Sequence, residues 1–421
     1  MMVEFIGEKN LIKYIGSRKK AQIKKITDNV YALQYFGSSN AILIIGDNGC
    51  ILVDAFETDG YAKEARDAIE KITDKPITTI IYTHTHADHI GGAKIFEDTV
   101  QTVIGHKSNN IVVGQQEKIA NDAQRRAVRQ FGALLSSEEA LSLGISPLFP
   151  PKGIVNTLPI TMWIEGDVTD LTIEGIKIQL IAAPGETDEE EAVWLPEQRV
   201  FCGGDNYYAS WPNLSALRGS TYRDVNQWVQ SLKKYLNYPV EYYIPGHGDI
   251  LVGNSEFREI IGTYSEAIEW VLEKTLEGIN VGKTPDELVE IIDLPEKWKN
   301  IPYLQEYYGT IAWSIRGIYA GYVGWFDGNP THIGSMPVKK RAEKIIGLLG
   351  DVQVISKEIK KALTEGEMQW VLELCDILLD AQVMIEEARK WKSEACSYLG
   401  RMQTSANGRH YYLTCAKELI K

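Results

Sequence analysis

One stretch of the sequence decides the fold: Ile77-Thr78-Thr79-Ile80-Ile81-Tyr82-Thr83-His84-Thr85-His86-Ala87-Asp88-His89-Ile90-Gly91-Gly92. Its first part is an apolar run that predicts a buried β-strand. Its second part holds three of the seven histidines of the chain. Because side chains alternate along an extended chain, His84 and His86 should point to the same side and converge on one ion. Neutral imidazoles and carboxylates packed this closely are typical ligands of zinc and related metals.

The same stretch predicts a second metal ion. Asp88 and His89 are adjacent, so they can face one side only if the chain turns, and Gly91-Gly92 permits that turn. The alternative is a polar strand end without metal. That alternative explains a lone histidine better than it explains four potential ligands directly after a strand. The spacing therefore predicts two metals.

Three later strand-like runs also stop at a small residue followed by a coordinating side chain. The run 176–181 leads to Glu186, the run 199–202 leads to Asp205, and the run 242–244 leads to His247. Glycines in the intervening turns allow one ligand to be presented at the end of each strand. Together these turns supply two carboxylates and one imidazole.

The pattern His84-x-His86-x-Asp88-His89 resembles the signature of the metallo-β-lactamase superfamily. The resemblance implies an α+β fold, a four-layer αββα sandwich with the metals at one edge of its two sheets. It also implies the ligand set: His84, His86 and Glu186 for the first metal, Asp88, His89 and His247 for the second, and Asp205 as the bridge. We expect two Zn²⁺, with iron or manganese as alternatives because Glu186 replaces the more usual histidine.

A narrower resemblance is to the alkyl sulfatases of this superfamily. In that group a glutamate ligand precedes an acidic bridge by nineteen positions, the interval from Glu186 to Asp205. The strings 306–319 and 324–330 are similar to the core of the alkyl sulfatase dimerisation domain, which implies a homodimer. This chain departs from the alkyl sulfatases at two positions, and both departures weaken the inference about the substrate. In that family the bridging residue is usually glutamate, whereas here it is Asp205. The last histidine of the family usually lies in a His-His-Trp-Pro context, whereas His247 lies in Gly246-His247-Gly248.

The chemistry implied by these ligands is hydrolysis. Two dications sharing a water lower its pKa and turn it into a nucleophile, with Asp88 and Asp205 as the catalytic carboxylates. An anionic ester also needs a cationic anchor. The resemblance assigns that role to Arg218, whose guanidinium suits a tetrahedral oxyanion, with Asn213 as a weaker helper. A surface arginine paired with a carboxylate is the alternative, and Tyr207 either lines the pocket or packs in the core.

Composition narrows the classes of partner. The net charge of -13 excludes nucleic acid as a partner, since no basic stripe is present to neutralise phosphates. No run approaches the roughly twenty apolar residues of a membrane span. The acidic N-terminus differs from a secretory signal and favours a cytoplasmic protein. The five cysteines are widely spaced and predict no disulfide framework.

The chain divides into two predicted domains. Residues 1–253 form the metallo-β-lactamase-like domain, and 254–421 form an all-α domain because strand signals almost vanish there. Residues 109–143 are mostly polar and helical, an insertion that could cover the metal site. Full alkyl sulfatases carry a third domain of sterol-carrier type, which we expect to be lacking here.

Three hypotheses follow. The first is a dimeric alkyl-sulfatase-like metal hydrolase acting on a small anionic ester. The second is a hydrolase for another ester, lactone, thioester or phosphoryl substrate, which the Gly-His-Gly context of His247 favours. The third is a redox or non-enzymatic role of the same fold, which the intact ligand set disfavours.

Overall fold

The computed structural model describes residues 5–15, 20–107 and 118–421. Its first sheet has seven strands in the order of the sequence. These strands are β1 (Gln22–Lys25), β2 (Val30–Gln34), β3 (Ala41–Ile45), β4 (Cys50–Val53), β5 (Ile77–Ile81), β6 (Thr102–His106) and β7 (Met162–Ile164). The pairings from β1 to β4 are antiparallel and those from β4 to β7 are parallel. The strand predicted for the apolar run that begins at Ile77 is confirmed as β5.

The second sheet has six strands in the order β13-β12-β11-β10-β9-β8. Its strands are β8 (Val168–Ile173), β9 (Ile176–Ala182), β10 (Glu191–Leu195), β11 (Val200–Cys202), β12 (Tyr242–Ile244) and β13 (Leu251–Val252). Only β11 and β12 pair in parallel. Each predicted ligand turn therefore follows a strand: β5, β9, β11 or β12.

The two sheets face each other across a core of aliphatic side chains from both, such as Val53, Ile81, Val193 and Ile244. The outer face of the first sheet packs against α2 (Asp59–Ile69). The outer face of the second packs against α6 (Val225–Tyr235) and α7 (Asn254–Asn280). This is the predicted four-layer αββα sandwich. Three further helices of this region are α3 (Ala87–Ile90), α4 (Ala120–Gln130) and α5 (Ser137–Ala140).

Beyond Val252 the described chain is helical, as predicted. The helices are α8 (Pro285–Ile291), α9 (Glu296–Lys299), α10 (Ile311–Val323), α11 (Val338–Leu349), α12 (Gln353–Glu365), α13 (Met368–Asp380), α14 (Ile385–Met402) and α15 (Ala406–Leu419). Helices α12 to α14 share a separate core that includes Ile359, Val371 and Leu378. No helix of the described residues is long and apolar enough to span a membrane.

The proposed boundary at 253/254 crosses continuous packing. One core cluster extends from Ile181 in β9 to Phe257 in α7 and Ile318 in α10. The N-terminal helix α1 (Ile6–Ile15) also joins the two regions, because it packs against α14 and its Tyr14 stacks on Tyr307 with ring centroids 4.0 Å apart. The sandwich and the helical region are thus held together by extensive apolar contact.

Candidate metal centre

Four side chains from three strand ends meet at one edge of the sandwich. Asp88 and His89 follow β5, Asp205 follows β11 and His247 follows β12; one ligand atom of each lies within 4.8 Å of all the others. His89 Nε2 is 3.8 Å from Asp88 Oδ2 and 3.4 Å from Asp205 Oδ1. His247 Nε2 is 3.4 Å from Asp88 Oδ2 and 3.1 Å from Asp205 Oδ2.

These distances fit a bound dication. Around a tetrahedral zinc with bonds of about 2.0 to 2.2 Å, neighbouring ligand atoms lie about 3.3 to 3.6 Å apart. His89 Nε2 and Asp205 Oδ1 are also buried without a hydrogen-bond partner among the described residues. Burial alone would lower the pKa of His247, but the adjacent carboxylates of Asp205 and Asp88 raise it to about 10, so this cluster favours a positive charge.

Outer partners fix the two imidazoles. Asp54 Oδ2 lies 2.8 Å from His89 Nδ1, and the Ser38 carbonyl lies 2.7 Å from His247 Nδ1. In each case the oxygen accepts a hydrogen bond from the Nδ1–H of the imidazole, so Nε2 is left to bind an ion. Asp54 also accepts hydrogen bonds from the backbone N–H and the hydroxyl of Thr83, both at 2.8 Å. Sequence analysis missed Asp54, although it directly follows β4 and obeys the same strand-end rule.

The chain turns at Asp88 and His89 by forming α3, not by an unusual glycine conformation. Gly91 has an ordinary φ of -69°. Glycine is needed at position 91 because the chain passes close to the backbone of Glu57: a Cβ at Gly91 would lie 2.1 Å from the Glu57 carbonyl oxygen. Gly246 serves similarly, because a Cβ would lie 2.0 Å from Asp205 Oδ1. Both glycines therefore let backbone pack directly against the metal-site residues.

The predicted first-metal residues share the other half of the site. His84 Nε2 is 2.9 Å from His86 Nδ1 and 3.9 Å from Asp205 Oδ2, which places both imidazoles on one side as expected. Glu186 is buried, and its Oε2 has no hydrogen-bond partner among the described residues. Burial raises the pKa of Glu186 to about 7, and the Asp205 charge acts in the same direction against that of Arg223.

Two arginines lie beside this half of the site, and they differ. Arg223 is buried; its Nη1 donates to Glu186 Oε1 and to the Asn213 carbonyl, each at 2.6 Å. Arg218 pairs with no carboxylate of the described residues; its Nη2 lies 3.1 Å from His86 Nε2. The alternative of a surface arginine paired with a carboxylate therefore does not describe Arg218 within the described residues. Arg223, which was not among the predicted site residues, is the arginine that pairs with a carboxylate here.

The other two predicted substrate residues, Asn213 and Tyr207, are not among the residues that line the cavity. Asn213 is buried, and its Oδ1 has no hydrogen-bond partner within the described part of the chain. Its backbone N–H donates to the Tyr208 hydroxyl oxygen at 2.8 Å. Tyr207 packs edge-on against Tyr264 at 5.0 Å, inside the core of the outer helical layer. The aromatic rings that line the cavity include instead those of Tyr308 and Phe131.

A cavity of about 660 Å³ opens above these side chains. Its floor is polar and includes His86, Asp88, Glu186, Asp205 and Arg218. Its wall is largely apolar and is formed by Ala120, Ala123, Ala127, Phe131, Leu143, Ile145 and Val155. Helix α4, which lies in the predicted covering insertion, supplies three of these seven residues, and Phe131 follows it directly. Residues 109–117 of that insertion lie outside the described residues.

Comparison with known proteins places the fold and the site in a family. Residues 35–247 match the family described as the metallo-beta-lactamase superfamily, and residues 284–421 match the family described as alkyl sulfatase dimerisation. A linear primary-alkylsulfatase from Pseudomonas sp. (strain ATCC 19151) is 32% identical over 90% of this chain and 73% of its own length. The chain therefore belongs to the alkylsulfatases of the metallo-beta-lactamase superfamily, as the sequence motifs predict.

Other relatives extend beyond the matched region. An alkyl/aryl-sulfatase from Saccharomyces cerevisiae (strain ATCC 204508 / S288c) is 29% identical, and the match covers 94% of this chain but 63% of that protein. The solved structure of a stereoselective inverting sec-alkylsulfatase from Pseudomonas sp. superposes with a TM-score of 0.89 at 24% identity, covering 97% of this chain and 67% of that one. That likeness supports the fold of both regions together.

Proposed function

We propose that this protein is a metal-dependent alkylsulfatase that hydrolyses alkyl sulfate esters to an alcohol and inorganic sulfate, with two Zn²⁺ as its metals. The observation that carries the proposal is the composition of one cavity. It joins a cluster of metal-ligating side chains, an arginine without a carboxylate partner and an apolar wall. An anionic head group with an alkyl tail is the substrate class that matches all three features.

The charges around the floor explain why an arginine is needed. Four carboxylates, those of Asp88, Glu186, Asp205 and Glu57, line the space in which a sulfate ester would sit. Arg223 offsets one of them by pairing with Glu186. Two bound dications would supply Lewis acidity and a nucleophilic water. Arg218 remains available to hold the sulfate oxygens through a planar guanidinium fork.

Asp88 and Asp205 would then have different tasks. The Asp205 side chain is almost fully buried and faces Nε2 of both imidazoles of the second site, so its task would be to bridge the two metals, as the family resemblance implies. The Asp88 side chain is 33% exposed and lines the cavity, so it can accept a hydrogen bond from the attacking water. His84 and His86 complete the floor on the side of Glu186.

The apolar wall suits the alkyl part of the ester. Along α4, residues 120, 123, 124 and 127 recur at helical spacing and face the cavity. Three of the four are alanines, which leave room beside the helix. Burying each methylene there contributes about 0.8 kcal/mol, so the wall would favour esters with apolar chains over small polar ones.

A substrate panel tests the proposal. Zinc-loaded protein is assayed on sodium alkyl sulfates of increasing length, for which released sulfate is measured by ion chromatography. Lactones and phosphodiesters complete the panel, and the acid released from them is measured by pH-stat titration. We expect sulfate release that chelators abolish. Arg218→Ala should raise KM about 10-fold to 100-fold, because a charge-assisted hydrogen bond contributes about 1.5 to 3 kcal/mol. Arg218→Lys should recover part of that loss.

A matched control is Arg316→Ala, because Arg316 is exposed and pairs with Asp286 far from the cavity. It should leave KM unchanged. Turnover confined to lactones or phosphodiesters, together with no effect of Arg218→Ala, would contradict the proposal. That outcome would favour the second hypothesis, a hydrolase of another ester or phosphoryl substrate.

We also propose that the protein is a homodimer, which the match of residues 284–421 supports. Large apolar side chains are exposed between α10 and the end of α11: Trp325 is 79% exposed, Ile333 69% and Leu348 88%. Such a concentration is typical of an interaction surface. Sedimentation of Trp325→Asp should show monomer where the wild-type protein shows dimer; an unchanged dimer would place the interface elsewhere.

A further inference from the structure

Gln130, the last residue of α4, contacts the backbone of the arginine on the cavity floor. Its side chain is fully buried, and its Oε1 accepts a hydrogen bond from the Arg218 N–H at 2.7 Å. Arg218 lies in an irregular segment with Gly219 next to it at a φ of +90°. Among the described residues, its guanidinium hydrogen-bonds to the Gly219 carbonyl at 3.2 Å and lies 3.1 Å from His86 Nε2. The contact with Gln130 is therefore a principal restraint on the Arg218 backbone.

Gln130 is in turn held by α15 of the helical region. The imidazole of His410 is fully buried; its Nδ1 lies 3.1 Å from the Gln130 carbonyl oxygen and its Nε2 lies 2.9 Å from that of Ala140. Gly132 has a φ of +65°, and a Cβ at this position would lie 2.9 Å from the His410 ring. The imidazole thus fills the concave surface between the end of α4 and α5.

Ion pairs surround this buried contact. Arg129 of α4 pairs with Glu418 of α15 at 2.6 Å, and Lys417 of α15 pairs with Glu139 of α5 at 2.7 Å. Arg409 Nε also donates to the Glu139 carbonyl at 2.6 Å. The wall of the cavity and the floor arginine are therefore both attached to the helical region rather than to the sandwich alone.

We propose that Gln130 is a positioning residue for Arg218 and that His410 holds Gln130 in place, so that the helical region sets the geometry of the anion site. The proposal rests on the proposed function for the identity of the anion. It goes beyond that function by giving the C-terminal helices a role in substrate binding in addition to dimerisation. Losing the acceptor would let the Arg218 backbone shift without removing any predicted metal ligand.

The test uses metal-loaded, full-length protein and two readouts. The first is the dissociation constant of inorganic sulfate by calorimetry, and the second is the separation of KM from kcat with an alkyl sulfate. Gln130→Met keeps the size of the side chain but removes the acceptor. We expect it to weaken sulfate binding and raise KM by about 10-fold to 10²-fold, the effect of a small misplacement of a binding group, with kcat changed by less than about threefold.

Gln130→Glu retains a carboxyl oxygen as acceptor and should restore both constants to within about threefold of the wild-type values, since a positioning hydrogen bond depends on the acceptor. His410→Phe keeps a ring but removes both nitrogens and should act in the same direction as Gln130→Met. The stability control is Ser393→Ala, which removes a buried hydrogen bond to Ala416 at 2.8 Å without touching α4. It should lower the melting temperature and leave KM unchanged.

The outcomes separate this proposal from the proposed function. If Arg218→Ala leaves sulfate affinity unchanged, the anion site itself is wrong and the proposed function fails. If Arg218→Ala weakens binding but Gln130→Met does not, only the positioning role is overturned. A Gln130→Met variant that lowers the melting temperature as Ser393→Ala does, with wild-type KM and sulfate affinity, would also overturn it.

Discussion

The floor and the wall of the cavity are built on different principles. The predicted metal ligands of the floor follow strands of the sandwich, where sheet pairing fixes the backbone, and outer contacts such as that of Asp54 with His89 orient the imidazoles. The wall is α4, which is attached to α15 by contacts such as that of Gln130 with His410, 280 positions apart. The difference suggests that reaction chemistry and substrate choice can vary independently in this fold.

The largest effect is expected from breaking the floor at Asp205. Asp205→Asn keeps the side-chain volume but removes the charge that faces His89 and His247. Weaker metal binding should lower kcat by about 10³-fold, since metal ions contribute several kcal/mol of transition-state stabilisation. Elemental analysis should show fewer than two metals per chain. The control is Asp376→Asn, which changes an exposed ion pair with Lys392. If Asp205→Asn keeps full metal content and activity, Asp205 is not a metal ligand.

A smaller effect should follow from loosening the floor without removing a ligand. Asp54→Asn replaces the carboxylate that accepts hydrogen bonds from both His89 and Thr83, so one of these contacts is weakened. Outer partners of this kind typically contribute 10-fold to 100-fold to metal affinity, so we expect a loss of about that size. Zinc competition with a chromophoric chelator measures it.

Excess zinc distinguishes the two floor variants. The activity of Asp54→Asn should recover as zinc is added, because all the direct ligands remain. Asp205→Asn should not recover to the same extent. If Asp54→Asn binds zinc like the wild-type protein, the contact between Asp54 and His89 is not needed to orient the imidazole.

The floor can be predicted from the sequence because its signals are local. An apolar run followed by a glycine turn and a coordinating side chain marks Glu186, Asp205 and His247 without any knowledge of the fold. Asp54 follows the same rule but lacks a histidine or glycine beside it, so only its 2.8 Å contact with His89 identifies it. The family resemblance supplies the grouping of these ligands into two metals, which local patterns leave open.

The wall cannot be predicted in this way because its determinants are non-local. Arg218 and Arg223 are five positions apart, and only the ion pair of Arg223 with Glu186 reveals which of them is neutralised. Tyr207 and Tyr308 are equally aromatic, yet Tyr207 is enclosed by the core while Tyr308 faces the cavity. A helical insertion is evident in the sequence, but the contact of its last residue with His410 is not.

The smallest effect should come from narrowing the wall. Ala127→Leu places about three additional carbon atoms where α4 faces the cavity, in the space that we assign to the alkyl tail. Each excluded methylene costs about 0.8 kcal/mol, so kcat/KM for long alkyl sulfates should fall about tenfold while that for short ones changes by less than about threefold. Arg126→Leu adds a leucine at a neighbouring position that does not line the cavity and should leave the chain-length profile unchanged. An equal loss for all chain lengths in Ala127→Leu would mean that the tail does not lie along α4, and the floor alone would then account for substrate choice.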